Sequence, residues 1–141
     1  MSDKAHPIST PHAAKAIGPY SQGVRSGQFL FISGQIPLDP VTLELVSSDV
    51  ISQTHRVLQN IGAILETAGG SFRDIVRTTV FLTDLQDFTA MNSVYATYFE
   101  ESQPARSTVQ VTALPKAANI EIDAIAILQQ SPQNIGSNQL T

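Results

Sequence analysis

Residues 75–83, Ile-Val-Arg-Thr-Thr-Val-Phe-Leu-Thr, constrain the fold more than any other stretch. β-Branched side chains dominate the run, and they suit a pleated, packed surface better than a helix. The run reads as a strand, and it is set between two helical patterns. Ahead of it, Val50, Thr54, Val57, Leu58, Ile61, Ile64, Leu65 and Ala68 recur at the helical period. Ser48 or Asp49 can cap that helix, and Gly69-Gly70 stops it. Its opposite face carries Gln53, Arg56, Gln59, Asn60 and Glu66. Behind the strand, Thr83 or Asp84 begins a second helix. Leu85, Phe88, Met91, Tyr95 and Tyr98 share one of its faces, Asn92 lies one step from Met91, and Pro104 cannot continue it.

Shorter β signals flank this centre. Tyr20 to Arg25 and Gln28 to Ser33 are joined by Ser26-Gly27, which predicts a hairpin. The continuous apolar run Phe29-Leu30-Phe31-Ile32 fits a strand covered on both faces. Pro37 ends it, and Leu43 to Val46 reads as a short extended piece. Two further strands are predicted over Ser107 to Thr112 and Asn119 to Leu128. In the last, Ile120, Ile122 and Ala124 face one way and Glu121 and Asp123 the other. The sum is an α+β domain of two layers, with two helices on one face of a mixed sheet. The other face is expected to carry Thr108, Gln110, Glu121, Asp123, Ile125 and Ile127. Such a mixture of polar and apolar groups suits a homo-oligomer interface with a polar cleft inside it.

One domain, 16–130, accounts for most of the 141 residues. Residues 1–15 read as a poorly ordered arm and 131–141 as a flexible tail. The absence of cysteine excludes disulfides, zinc–thiolate sites and thiol nucleophiles. With a net charge of -4 and its eight Lys and Arg residues scattered, the chain shows no basic stripe, so no nucleic acid is expected as partner. No apolar run approaches the ~18–20 residues of a membrane span, and Met1 to Pro11 has none at all, so a cytoplasmic protein without membrane contact is expected. His6, His12 and His55 match neither a metal spacing nor a Ser-His-Asp triad.

Four places invite a chemical reading beside a plain one. Arg106 stands in Gln103-Pro104-Ala105-Arg106-Ser107, where a helix hands over to a strand. A fork held so stiffly can grip a carboxylate or phosphate by two bonds; an exposed loop arginine is the plain alternative. Glu121 and Asp123, ~7 Å apart along one strand face at the usual rise, offer a general base, or else a solvated strand face. Tyr20 can wall a pocket or sit half in the core. Gly34 allows close backbone approach to a ligand, or simply turns a corner.

Five segments follow one another in order. They are Ile17-Gly18-Pro19-Tyr20-Ser21-Gln22-Gly23, Ile32-Ser33-Gly34-Gln35-Ile36-Pro37, Val76-Arg77-Thr78-Thr79-Val80-Phe81-Leu82, Pro104-Ala105-Arg106-Ser107 and Ile120-Glu121-Ile122-Asp123-Ala124-Ile125-Ala126. Together they resemble the RidA (YjgF) family of reactive-intermediate deaminases, from about Ala16 to Ile127. The resemblance implies a chorismate-mutase-like protomer, a homotrimer whose sheets form a central barrel, and active sites between neighbouring subunits.

It also implies an enzyme, a 2-iminobutanoate/2-iminopropanoate deaminase. Such an enzyme hydrolyses 2-imino and enamine acids such as 2-aminoacrylate and 2-iminobutanoate to 2-keto acids and ammonium, with no cofactor and no metal. By the same resemblance Arg106 matches the arginine that grips the substrate carboxylate, and Glu121 the glutamate that orients the attacking water. Tyr20, Ser33, Gly34 and Asn92 match residues that line the substrate. Thr108 departs from the many relatives that carry cysteine there, although its hydroxyl can still bond a ligand. Two other functions stay open at this point: a non-catalytic module that binds keto acids, and an endoribonuclease or translation inhibitor.

Overall fold

The computed structural model describes residues 4–129. Six strands form one sheet: β1 (His6–Ile8), β2 (Gly23–Ser26), β3 (Phe29–Gln35), β4 (Ile75–Leu82), β5 (Ala105–Gln110) and β6 (Ile120–Ile127). Their order is β1-β2-β3-β6-β4-β5. β4 and β5 run parallel, and every other pairing is antiparallel. Two helices, α1 (Val50–Thr67) and α2 (Phe88–Tyr98), complete an α+β domain in which both pack on one face of a mixed, open sheet. None of the described helices is long and apolar enough to cross a membrane.

Local chemistry sets the helix ends. The Asp49 carboxylate accepts from Ser52 N–H at 2.8 Å, so the aspartate is the cap that the sequence left between Ser48 and Asp49. At the other end Gly70 N–H donates to Leu65 O and Gly69 N–H to Glu66 O. That is the paired closure of a helix by a left-handed residue, and Gly69 supplies the φ of 86° it needs. Gly27, at φ 60°, makes the predicted β2–β3 hairpin turn.

The core lies between the helices and one sheet face, where Leu58, Ile61 and Ile64 of α1 meet Leu30, Val80 and Ile122 of the sheet, all fully buried. Two polar residues expected on the outer face of α1 are buried with them. Gln53 bridges Ser47 O and Asn119 N–H, and Asn60 donates to Leu38 O. Each amide satisfies backbone groups of loops that α1 covers, which is why burial there is tolerated.

The N-terminal segment from residue 4 packs against the domain. Residues 6–8 add a strand to the sheet edge, and Thr10, Ala13 and Ala14 are buried. Gln22 holds them: its side chain accepts from Thr10 N–H and donates to the carbonyls of Thr10 and Ala14. The predicted tail, 131–141, lies outside the described residues. Leu43 to Val46 makes only an isolated bridge, Leu45 to Leu38.

Among the described residues the second sheet face is covered only in part. Phe29, Phe31, Val109 and Ile127 are each more than two-fifths exposed on it. Among the described residues Phe29 and Phe31 stay nearly half exposed and stack on each other, whereas Leu30 and Ile32 of the same run are buried, so the run is not covered on both faces. Register corrects two placements. Thr108 pairs with Val80 and Gln110 with Leu82, so both lie on the helix side. The open face receives Ser107 and Val109 instead, beside Thr79 and Phe81.

Candidate functional site

β3 and β6 build one half of a site. The two strands slip register between Ile32 and Gln35, and at that irregularity the Glu121 side chain lies directly against Gly34. Ser33 is tied back by two bonds: its hydroxyl donates to Ser21 O at 2.6 Å, and its N–H to Gln22 O at 3.0 Å. Tyr20 is about half exposed, and its hydroxyl accepts from Ile17 N–H at 3.2 Å, which folds the Gly18 corner over the ring. These groups surround a cleft of about 400 Å³, completed by the apolar surfaces of Ile17, Ile36 and Pro115.

The cleft's back wall is rigid. Ile36 packs with Ala14, Leu38 and Ala118 in a small second core. Pro115 is presented by a turn in which Lys116 and Ala117 both hold left-handed backbone, at φ 61° and 57°. Non-glycine residues in that region cost of order 1–3 kcal/mol each, so the turn persists because its surroundings impose it. Burial raises the Glu121 carboxyl above its ordinary pKa, and the nearby Asp123 charge raises it further. A carboxylate whose pKa is raised in an apolar-walled cleft is a stronger proton acceptor than an ordinary one.

α2 and β5 build a second constellation. Arg106 pairs in register with Thr78, on the helix side of the sheet. Its guanidinium lies 4.8 Å from the Tyr95 ring centroid and 5.5 Å from that of Phe88. Stacking on two rings holds the fork while leaving donors for a ligand. Tyr95 is itself fixed by a 2.7 Å bond between its hydroxyl and Thr78. Burial raises its pKa, and the Thr78 bond and the Arg106 charge oppose that rise. Among the described residues no carboxylate lies within ion-pair distance of Arg106. On the same side, Asn92 Oδ1 and Thr108 Oγ1 are buried with no hydrogen-bond partner among the described residues. Buried oxygens are normally paired, so these two are exceptions that the fold itself does not explain.

The predicted residues thus fall into two groups. Tyr20, Ser33, Gly34 and Glu121 share the cleft on β3 and β6. Arg106, Asn92 and Thr108 lie on the α2–β5 side. Ile17, Ile36 and Pro115 were not singled out as cleft residues, and neither were Tyr95 and Phe88 as the platform under Arg106. The first two stand inside the quoted motifs, but Pro115 enters only through a backbone conformation that its neighbours' side chains do not advertise. No group of three or more His, Cys, Asp or Glu residues that could hold a metal occurs among the described residues.

Comparison with known proteins agrees with this architecture. Residues 10–128 match the family model described as Endoribonuclease L-PSP. A RutC family protein of Pyrococcus horikoshii is 57% identical over 119 residues, which cover 84% of this chain and 94% of that one. A Mus musculus protein named 2-iminobutanoate/2-iminopropanoate deaminase is 48% identical over 120 residues, covering 85% and 89%. The solved structure of the YjgF gene product of Escherichia coli matches with a TM-score of 0.84 at 47% identity, covering 88% of this chain and 99% of that one. With the family model spanning almost all of the described residues and the fold shared with a solved member, the chain belongs to the Endoribonuclease L-PSP (YjgF/RidA) family.

Proposed function

We propose that this protein is a 2-iminobutanoate/2-iminopropanoate deaminase. It hydrolyses 2-imino and enamine acids to 2-keto acids and ammonium at sites shared between neighbouring subunits of a homotrimer. The observation that carries the reading is the division of the candidate residues. Glu121, the candidate base, lines one cleft, and the ring-supported Arg106 lies on another side of the same chain. Each half lacks what the other supplies. The partly covered apolar face bearing Phe29, Phe31 and Ile127 is the surface that would bring copies together. Deaminase-named relatives at about 48% identity favour the same activity.

In this mechanism Arg106 of one subunit takes the substrate carboxylate in two charge-assisted bonds. Thr108 Oγ1 and Asn92 Oδ1 gain partners as the ligand enters. The imine carbon then faces Glu121 of the neighbouring subunit, which takes a proton from the attacking water and returns it to the imine nitrogen, so that the aminol carries the amine as its leaving group. Collapse of the tetrahedral aminol expels ammonia and leaves the keto acid. Imines are reactive already, so positioning and one base suffice. The reaction asks for neither metal nor cofactor.

Coupled hydrolysis tests this. An amino-acid dehydratase or oxidase generates the imine in the presence of semicarbazide, and keto-acid formation is followed with wild type and Arg106→Ala. Rescue by wild type alone is the expected result. Keto-acid binding without rescue would make the protein a ligand-binding member of the family. RNA cleavage that persists through purification and survives Arg106→Ala would favour the family's endoribonuclease description instead.

A further inference from the structure

The contact between Gly34 and Glu121 points to a role for Gly34 that runs through the carboxylate: we infer that Gly34 is a positioning residue, whose missing side chain is the space in which the Glu121 carboxylate is held. This rests on the deaminase reading above and adds the element that aims its base.

A Cβ placed on Gly34 would collide with Glu121 Oε2 and stand 2.8 Å from Cδ and 3.2 Å from Cγ. The clash is with one side chain along most of its length, and its three nearest atoms all belong to Glu121. Backbone conformation is not the reason for glycine here. The positive-φ glycines are Gly18, Gly27 and Gly69, and Gly34 is not among them. Its requirement is purely one of space.

The strand cannot retreat to make that space. Ser33, the preceding residue, is bonded to Ser21 O and Gln22 O. Gln35, the following residue, is buried, and its side chain donates back to Ser33 O. On the other side Glu121 is anchored in the centre of the sheet, where Phe81 pairs beside it and its neighbours Ile120 and Ile122 are fully buried. Only the flexible end of Glu121 can yield. A methyl at position 34 therefore lifts the carboxylate off β3 and away from the place where it would hold water. The titratable groups around it are Asp123 on its own strand and Tyr20 across the cleft; β3 and β4 contribute Gly34 and Phe81, which carry no charge.

The test compares full-length wild type, Gly34→Ala, Glu121→Ala and the double variant. In Gly34→Ala we expect the thermal midpoint to hold within a few degrees, kcat to fall at least tenfold and KM to stay within about twofold, since the carboxylate moves and the backbone does not. The double variant should lose no more activity than Glu121→Ala alone. Carbon-13 NMR titration of the Glu121 carboxyl, which needs no turnover, should show its midpoint move down as the group leaves its buried place.

An unchanged Glu121 titration in Gly34→Ala overturns the inference, as does a double variant whose losses multiply. A Gly34→Ala protein that fails to fold also overturns it, provided the double variant fails as well, because the methyl would then be meeting the backbone. Folding restored by removing Glu121 supports it. If wild type hydrolyses no imine, the deaminase reading falls, while the titration still decides whether Gly34 places the carboxylate.

Discussion

Arg106 and Glu121 project from opposite sides of one sheet. Arg106 shares the helix side with Thr78 and Ala124, and Glu121 shares the open side with Phe81 and Val109. β4 lies between their strands, so β5 and β6 stand ~10 Å apart as well. A three-carbon imino acid cannot touch both groups within one chain.

Complementation between inactive variants is the direct consequence. Arg106→Ala and Glu121→Gln, each inactive or nearly so alone, should regain activity when mixed subunits are allowed to co-assemble. Random 1:1 trimers with sites shared between neighbours restore about a quarter of wild-type sites, since only the mixed species hold one intact pair. Activity after co-expression and size-exclusion purification checks this. No gain over the parents, with mixed assembly demonstrated, would place both residues in separate roles.

Glu121→Gln should lower kcat by ~10²–10³-fold while changing keto-acid affinity far less, because a base acts in the chemical step and the clamp is elsewhere. Equal losses in both would make Glu121 a binding residue.

The pH profile has a definite sign. Burial and Asp123 both raise the Glu121 pKa, and the base works only when deprotonated. Activity should therefore fall on the acid side through a value above that of an ordinary carboxyl. Asp123→Asn removes the charge that helps to raise it, so the acid limb should move to lower pH. A limb that stays in place or moves upward would show that another group controls it.

Thr108→Val probes an unpaired oxygen. Oγ1 has no hydrogen-bond partner among the described residues, so its loss removes none of their hydrogen bonds. Folding stability should be unchanged or higher by about 1 kcal/mol, while KM for the imino acid rises several-fold. A clear loss of stability in urea denaturation would mean that the hydroxyl serves the fold.

Gln22→Ala should be costly for a residue between two short segments. It strands Thr10 N–H and the carbonyls of Thr10 and Ala14, at about 2–4 kcal/mol in total. Denaturation measures the loss, and hydrogen exchange should rise in residues 6–14 ahead of the rest.

Much of the fold was legible along the chain because it rests on local chemistry. The 3.6-residue period of α1, its Asp49 cap and its Gly69 exit, the Gly27 hairpin and the β-branched β4 are each written within a few residues. The apolar alternation of β6 likewise assigned Glu121 and Asp123 to the face they occupy. The same rule failed at β5. There Val109 looked like the inward position, yet it faces outward at 42% exposure, and Thr108 turns towards the helices. Apolar identity alone does not say which face of the sheet the helices of the same chain will cover.

What the sequence alone determined was the kind and order of elements and the identity of the candidate groups, since propensity, capping and periodicity act over a few residues. Only the tertiary structure decided which groups meet. Strand β1 exists because β2 offers it an edge, and Gln22 fastens the segment from Thr10 to Ala14 behind it. Thr108 faces the helices because β5 pairs with β4 in one register, and a slip of a single residue would have reversed every side chain on the strand. The separation of Arg106 from Glu121, and the space that Gly34 leaves for a carboxylate far along the chain, depend on pairings between distant residues that no local pattern encodes.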